Sequence, residues 1–202
     1  MRRLSLAAAA FAALLPTSAA QAADETATVI DYFTVANVTA VLNELKATNI
    51  TSEKEEQVTT IRAEIGGYPI SFGIQKCVAA GCIGMLIGAG MDPGARVSSE
   101  TLLGFTGKMP PTPAIRLQGN AVALVRAEIS LGGMRSSNLR ENIALVVGTV
   151  PVFVKHLKDA VIASNEPPRT HDVRPAYLSA KDLRDLTFLV PDVSDLPTRK
   201  PN

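Results

Sequence analysis

Apolar positions along the chain change period several times, and each change predicts an element. Across residues 34–48, Val35, Val38, Val41, Leu42 and Leu45 recur on one helical face, and Thr34 stands where a side-chain oxygen can cap that helix. Residues 50–57, with Glu53, Lys54, Glu55 and Glu56, carry no apolar stripe and read as a connection between helix and sheet. Strand-like alternation follows over 58–65. Gly66 and Gly67 then give a turn signal, and Tyr68, Ile70, Phe72 and Ile74 set up a second alternating run. After another turn within 78–81, residues 82–91 are apolar on both faces, the pattern of a central strand covered on each side. Ser98, Ser99 and Glu100 open a short helix that must stop before Pro110 and Pro111. A second hairpin is expected around Gly119 and Asn120. From Asn138, the positions Leu139, Ile143, Val146, Val147, Val150, Val154 and Leu157 form a helical stripe about five turns long. Pro151 falls inside it and predicts a kink.

This pattern predicts a single α+β domain over residues 30–163, an antiparallel sheet with flanking helices in the order α-β-β-β-α-β-β-α. Beyond about Ser164 the chain turns proline-rich, so residues 164–202 read as a C-terminal tail. Within it, 179–188 can form a short helix whose Leu183, Leu186 and Leu189 could dock on the domain. At the other end, Arg2 and Arg3 precede a 12-residue apolar run ending at Leu15, and Ala20-Gln21-Ala22 offers a small-x-small cleavage site. Residues 1–22 thus read as a signal peptide, and cleavage near Ala22 would deliver a periplasmic or secreted protein. No later stretch approaches the length of a membrane span.

Composition narrows the chemistry. The 20 Lys and Arg against 19 Asp and Glu, interleaved along the chain, argue against nucleic acid as partner. Absent tryptophan and 4% aromatic residues argue against an aromatic-lined cofactor site. Cys77 and Cys82 span a predicted turn in an exported chain, so a disulfide is the leading reading, with two buried thiols as the alternative. Zinc lacks further ligands in the sequence near this turn, since His156 and His171 are both remote. The glycines at 81, 84, 88, 90 and 94 lack the Lys-Ser/Thr pair and following helix of a phosphate loop, and read instead as sites of close backbone approach. His156 reads as a charge near a helix end. Ser98-Ser99 and Ser136-Ser137 precede helices as caps. Asp182, Asp185, Asp192 and Asp195 lack calcium-loop spacing. No catalytic, cofactor-binding or metal-binding residue is therefore assigned. Arg62, Glu64, Arg126 and Glu128 on predicted strands are the charges to inspect for a site assembled only by folding, against a reading as solvated cross-strand ion pairs.

Three stretches together carry a family resemblance: residues 31–38 (DYFTVANV), the hairpin from Gly67-Tyr68-Pro69-Ile70 to Cys77 and Cys82, and residues 129–139 (ISLGGMRSSNL). They resemble the YbjN-domain family, described as bacterial sensory transduction regulators. The resemblance covers 30 to about 158 and implies a fold similar to that of type III secretion chaperones, in the element order read above. Residues 105–108 (FTGK) depart from the family, whose members commonly carry an aromatic residue and asparagine before the second hairpin. The family brings no established catalytic residue. The leading expectation is a non-enzymatic, exported protein-interaction module, a regulator or chaperone-like adaptor of the cell envelope with a protein or peptide partner. The alternatives are a small-ligand binder or hydrolase assembled in three dimensions, and an envelope stress protein acting as a homodimer.

Overall fold

The computed structural model describes residues 28–94, 96–163 and 173–190. The signal-peptide segment, His171, Asp192 and Asp195 lie outside these. Chain order is β1 (Val29–Ile30), α1 (Val35–Glu44), β2 (Thr48–Glu55), β3 (Val58–Ile65), β4 (Tyr68–Val78), β5 (Gly81–Asp92), α2 (Ser99–Lys108), β6 (Ala114–Arg116), β7 (Val122–Ile129), β8 (Met134–Arg135), α3 (Ser136–Ala163), β9 (Arg174–Ala176) and α4 (Ala180–Asp185), followed by a 3-10 turn, Thr187–Leu189. The architecture is α+β. Seven strands form one sheet in the order β2-β3-β4-β5-β7-β6, with β9 joining β5 off that path, and β1 pairs separately with β8. All these pairings are antiparallel.

Local chemistry accounts for the helix starts. Thr34 Oγ1 accepts from the Asn37 amide while Asn37 Oδ1 accepts from the Thr34 amide, a reciprocal box that satisfies two otherwise orphaned donors. Ser98 caps α2, and Ser179 with Asp182 repeats the box at α4. The long stripe becomes α3, which continues through Pro151 to Ala163. Its start lies against the lead segment, where the Ser136 amide donates to the Thr28 carbonyl.

Two departures from the expected order have physical causes. Residues 50–57 are not a connection: most of them form β2, an edge strand paired with β3. Nearly every β2 side chain is exposed, so the strand has no apolar face to alternate with a polar one. Four strands therefore separate α1 from α2, where three were expected. The second departure is β9, within the proline-rich region, which adds to β5 at Gly90, Met91 and Asp92, beyond the last β4 pair, Ser71 with Gly88. An edge strand tolerates Pro175 because its outer side needs no donor.

Pairing registers divide the sheet into two faces. One presents Ile61, Phe72, Ile74, Met85, Ile87 and Leu124 to α1, α2 and α3 and holds the main core, with Phe105 and Phe153 at 4.7 Å between ring centroids. The other presents Leu86, Ala123 and Val125 to Leu178, Leu183, Leu186 and Val190 of the segment 173–190. Glycines make that second contact close. A Cβ at Gly88 would meet Leu178 Cδ1 at 2.4 Å, and one at Gly84 would meet Val190 Cγ1 at 2.5 Å. Ser71 fixes the same segment by accepting from the Leu178 amide at 2.9 Å and donating to its carbonyl at 3.3 Å. Gly84, Gly88 and Gly90 thus form a lane of close approach for the segment 173–190, whereas Gly81 lies against Tyr32 of the lead segment.

Candidate functional site

The four charges singled out on strands do not converge. Arg62 aligns with Ser71 and lies on the face toward 173–190, where it pairs with Glu53 at 3.3 Å in a solvent-reached ion pair. Glu64 shares that face and accepts from Asn49 Nδ2 at 3.0 Å. Arg126 and Glu128 alternate with Val125 and Ala127 and lie on the helix-covered face. No single cluster can hold all four.

Arg126 and Glu128 do form a closed network with Asn142 of α3. The Arg126 Nε donates to Glu128 Oε1, its Nη2 to Asn142 Oδ1 at 3.0 Å, and its Nη1 to the Pro111 carbonyl at 3.1 Å. Asn142 Nδ2 donates to Glu128 Oε2 at 3.0 Å. Glu128 is 6% exposed, so its charge stays in the fold only because a guanidinium and an amide share it. Each carboxylate oxygen is engaged, and so are both oxygen and nitrogen of the amide. Such a set ties β7 to α3 and to the loop before β6. It offers no unengaged carboxylate oxygen as a base or ligand. Asn142 was not foreseen, although a signal existed: it lies three residues after Leu139 and four before Val146, a polar break in the apolar stripe.

His156 is not at the helix end. It sits two turns before Ala163, its Nε2 lies 3.0 Å from the Thr101 carbonyl, and its ring packs on Phe105 at 5.3 Å. It joins α3 to α2, outside the last turn where the helix dipole acts. Among the described residues, no group of three or more His, Cys, Asp or Glu side chains is placed to hold a metal ion. No described helix is long and apolar enough to cross a membrane.

Cys77 and Cys82 are joined by a disulfide across β4 and β5, which fits an oxidising compartment. Cys82 also exchanges two backbone hydrogen bonds with Phe33, at 2.6 and 3.1 Å, so the bridge and the buried lead segment brace one hairpin end. Next to it a cleft of about 690 Å³ opens between the β2–β3 and β4–β5 hairpin ends.

A second concavity is apolar. Ile115 and Leu117 at the β6 edge face Leu186 and Phe188 across a groove of about 250 Å³, rimmed by Arg116, Asp182 and Asp185. Phe188 is 75% exposed. The β6 edge itself is partly blocked, because the Thr106 hydroxyl accepts from the Ala114 amide at 3.0 Å and donates to its carbonyl at 3.4 Å. A visitor to this groove would therefore be held by side chains more than by strand addition. Phe188 was expected only as the end of a short helix; its exposure follows from the 3-10 turn that succeeds α4.

Comparison with protein-family models, with curated proteins and with solved structures finds no match.

Proposed function

We propose that the chain is a non-enzymatic, exported protein-interaction module, a regulator or chaperone-like adaptor that takes an apolar segment of a protein partner into the groove at Phe188. The observation that carries this reading is the exposure of that ring beside Ile115, Leu117 and Leu186. A phenylalanine left in water at the end of a docked segment gains nothing for the fold. It supplies the large apolar anchor on which interface affinity concentrates. Arg116, Asp182 and Asp185 on the rim offer charges of both signs to the polar flanks of that segment.

The placement of polar groups supports a binding role over catalysis. Ser98 and Ser179 serve helix starts, His156 serves a helix contact, and the buried carboxylate is fully engaged. The signal-peptide pattern and the disulfide support export to the periplasm, and residues 31–38, 67–82 and 129–139 support a YbjN-type, type III secretion chaperone-like classification.

A photo-crosslinking residue at position 188, tested in the native envelope, should capture one reproducible partner. The same residue at Leu103, 70% exposed on α2, is the control. Identical capture at both positions would overturn the reading. Capture of the chain itself at 188 would replace the partner with a second copy.

A further inference from the structure

We propose that the cleft between the two hairpin ends is a binding site for a small oxyanion, the phosphate or carboxylate group of a small molecule. This site is separate from the Phe188 groove and does not depend on the reading given to that groove.

The cleft arises from the strand registers. Pairing between β3 and β4 runs from Ile65 with Tyr68 to Thr59 with Ile74 and stops there. Beyond that point β3 leads back into its turn with β2, while β4 runs on beside β5 to Cys77 with Cys82 and Val78 with Gly81. Two hairpin ends thus form opposing walls, and Arg184 and Thr187 contribute from the C-terminal segment. The volume of about 690 Å³ suits a small molecule. One wall is braced by the Cys77–Cys82 disulfide and the Phe33 backbone bonds, so little ordering is left for binding to impose.

Charge sets the sign of the ligand. Lys54, Lys76 and Arg184 line the cleft against the single carboxylate of Glu56. Arg184 gives one hydrogen bond to that carboxylate, Nη1 to Oε2 at 2.7 Å, out of the five N–H donors of a guanidinium.

A buried donor supplies the second, independent observation. Gln75 lines the cleft yet is only 2% exposed. Its Oε1 accepts from the Thr187 hydroxyl at 2.7 Å, and its Nε2 has no acceptor. An amide N–H buried without a partner is unfavourable, and native folds rarely keep one without a use. An anion oxygen entering between Lys54 and Arg184 would give Nε2 its acceptor. Solvated charges on hairpin ends would explain the lysines, but they would not explain the glutamine.

The test is a two-dimensional NMR titration of the full oxidised chain with sodium phosphate, and separately with sodium acetate, against sodium chloride at matched ionic strength. The expected result is saturable shifts confined to residues 54–59, 75–82 and 184–187, including the Gln75 side-chain amide. Saturation by phosphate alone assigns the phosphate class, and saturation by both assigns any oxyanion. Lys54→Ala and Arg184→Gln lie at exposed positions and should each weaken binding about tenfold, the loss of one charge-assisted hydrogen bond, with the rest of the spectrum unchanged. Gln75→Leu should remove the effect at similar volume. Linear shifts with either salt, shifts spread over the surface, or affinity unaltered by these substitutions would overturn the site.

Discussion

Leu178 and Gly88 provide the sharpest test of how the second face of the sheet is built. Leu178 is 1% exposed, and its side chain occupies the space a Cβ would need at Gly88, only 2.4 Å from Cδ1. Leu178→Ala removes three carbons from that contact and leaves a cavity, which costs about 3 kcal/mol. Dividing by an unfolding entropy of roughly 0.3 kcal/mol/K for about 150 ordered residues lowers Tm by about 10 °C. Gly88→Ala alone overpacks the same contact and costs about 2 kcal/mol, because Leu178 is held on both backbone groups by Ser71 and cannot retreat freely. Combined, the new methyl enters the vacated space. The pair should therefore cost about 3 kcal/mol, a coupling of about 2 kcal/mol in favour of the double variant. Urea denaturation of the four proteins measures this directly. Gly104→Ala in α2, where a Cβ meets nothing within 4 Å, is the control and should show no coupling to Leu178→Ala. Additive losses at 178 and 88, or a neutral Gly88→Ala, would refute close packing of the C-terminal segment on the glycine lane.

Two further predictions use the same assay. Arg126→Ala strands the Glu128 carboxylate and should cost about 3 kcal/mol, whereas Arg62→Ala breaks a solvent-reached pair and should cost about 0.5 kcal/mol; equal losses would contradict the contrast between the two faces. Replacing both Cys77 and Cys82 by serine frees a ring closed over a sequence separation of 5 and should cost about 2 kcal/mol, and unchanged stability would show that the bridge adds nothing to a hairpin already paired.

The helices were legible because burial on one side leaves a period. Val38, Val41 and Leu42, with Leu45 half-buried beside them, mark α1, and the stripe from Leu139 to Leu157 marks α3. Strand β2 left no such trace. It lies at the sheet edge with every side chain but the half-buried Ile50 exposed, and its charged residues suit an edge that must not recruit another strand. Only the β-branched Thr48, Ile50 and Thr51 hinted at it. Arg126 and Glu128 could be chosen from sequence as strand charges, but parity within each strand does not say which strand faces match. The register of Arg62 with Ser71, and of Arg126 with Ile87, is what sends the two pairs to opposite sides.

The second cover of the sheet was implied by the sequence without being located in it. Residues 82–91 are apolar at both parities, so β5 needs a layer on each face. The helices α1, α2 and α3 can supply only one. What remains in the chain is the proline-rich region, and Leu178, Leu183, Leu186 and Val190 are its apolar residues placed on that face. Proline counts hide them because they describe the linker character of a segment and not the spacing of its leucines. The glycines at 84, 88 and 90 point the same way, for they share one parity of β5 and leave only Leu86 standing between them. A strand face stripped of side chains in this way cannot bury itself; it requires side chains from elsewhere at close range, and Leu178 stands against Gly88 and Gly90 while Val190 stands against Gly84. Gln75 follows from the same reasoning. It occupies the parity of Ser71 and Gly73 on β4, so a long amide stands on a face that otherwise carries small residues, beside the cleft between the two hairpin ends.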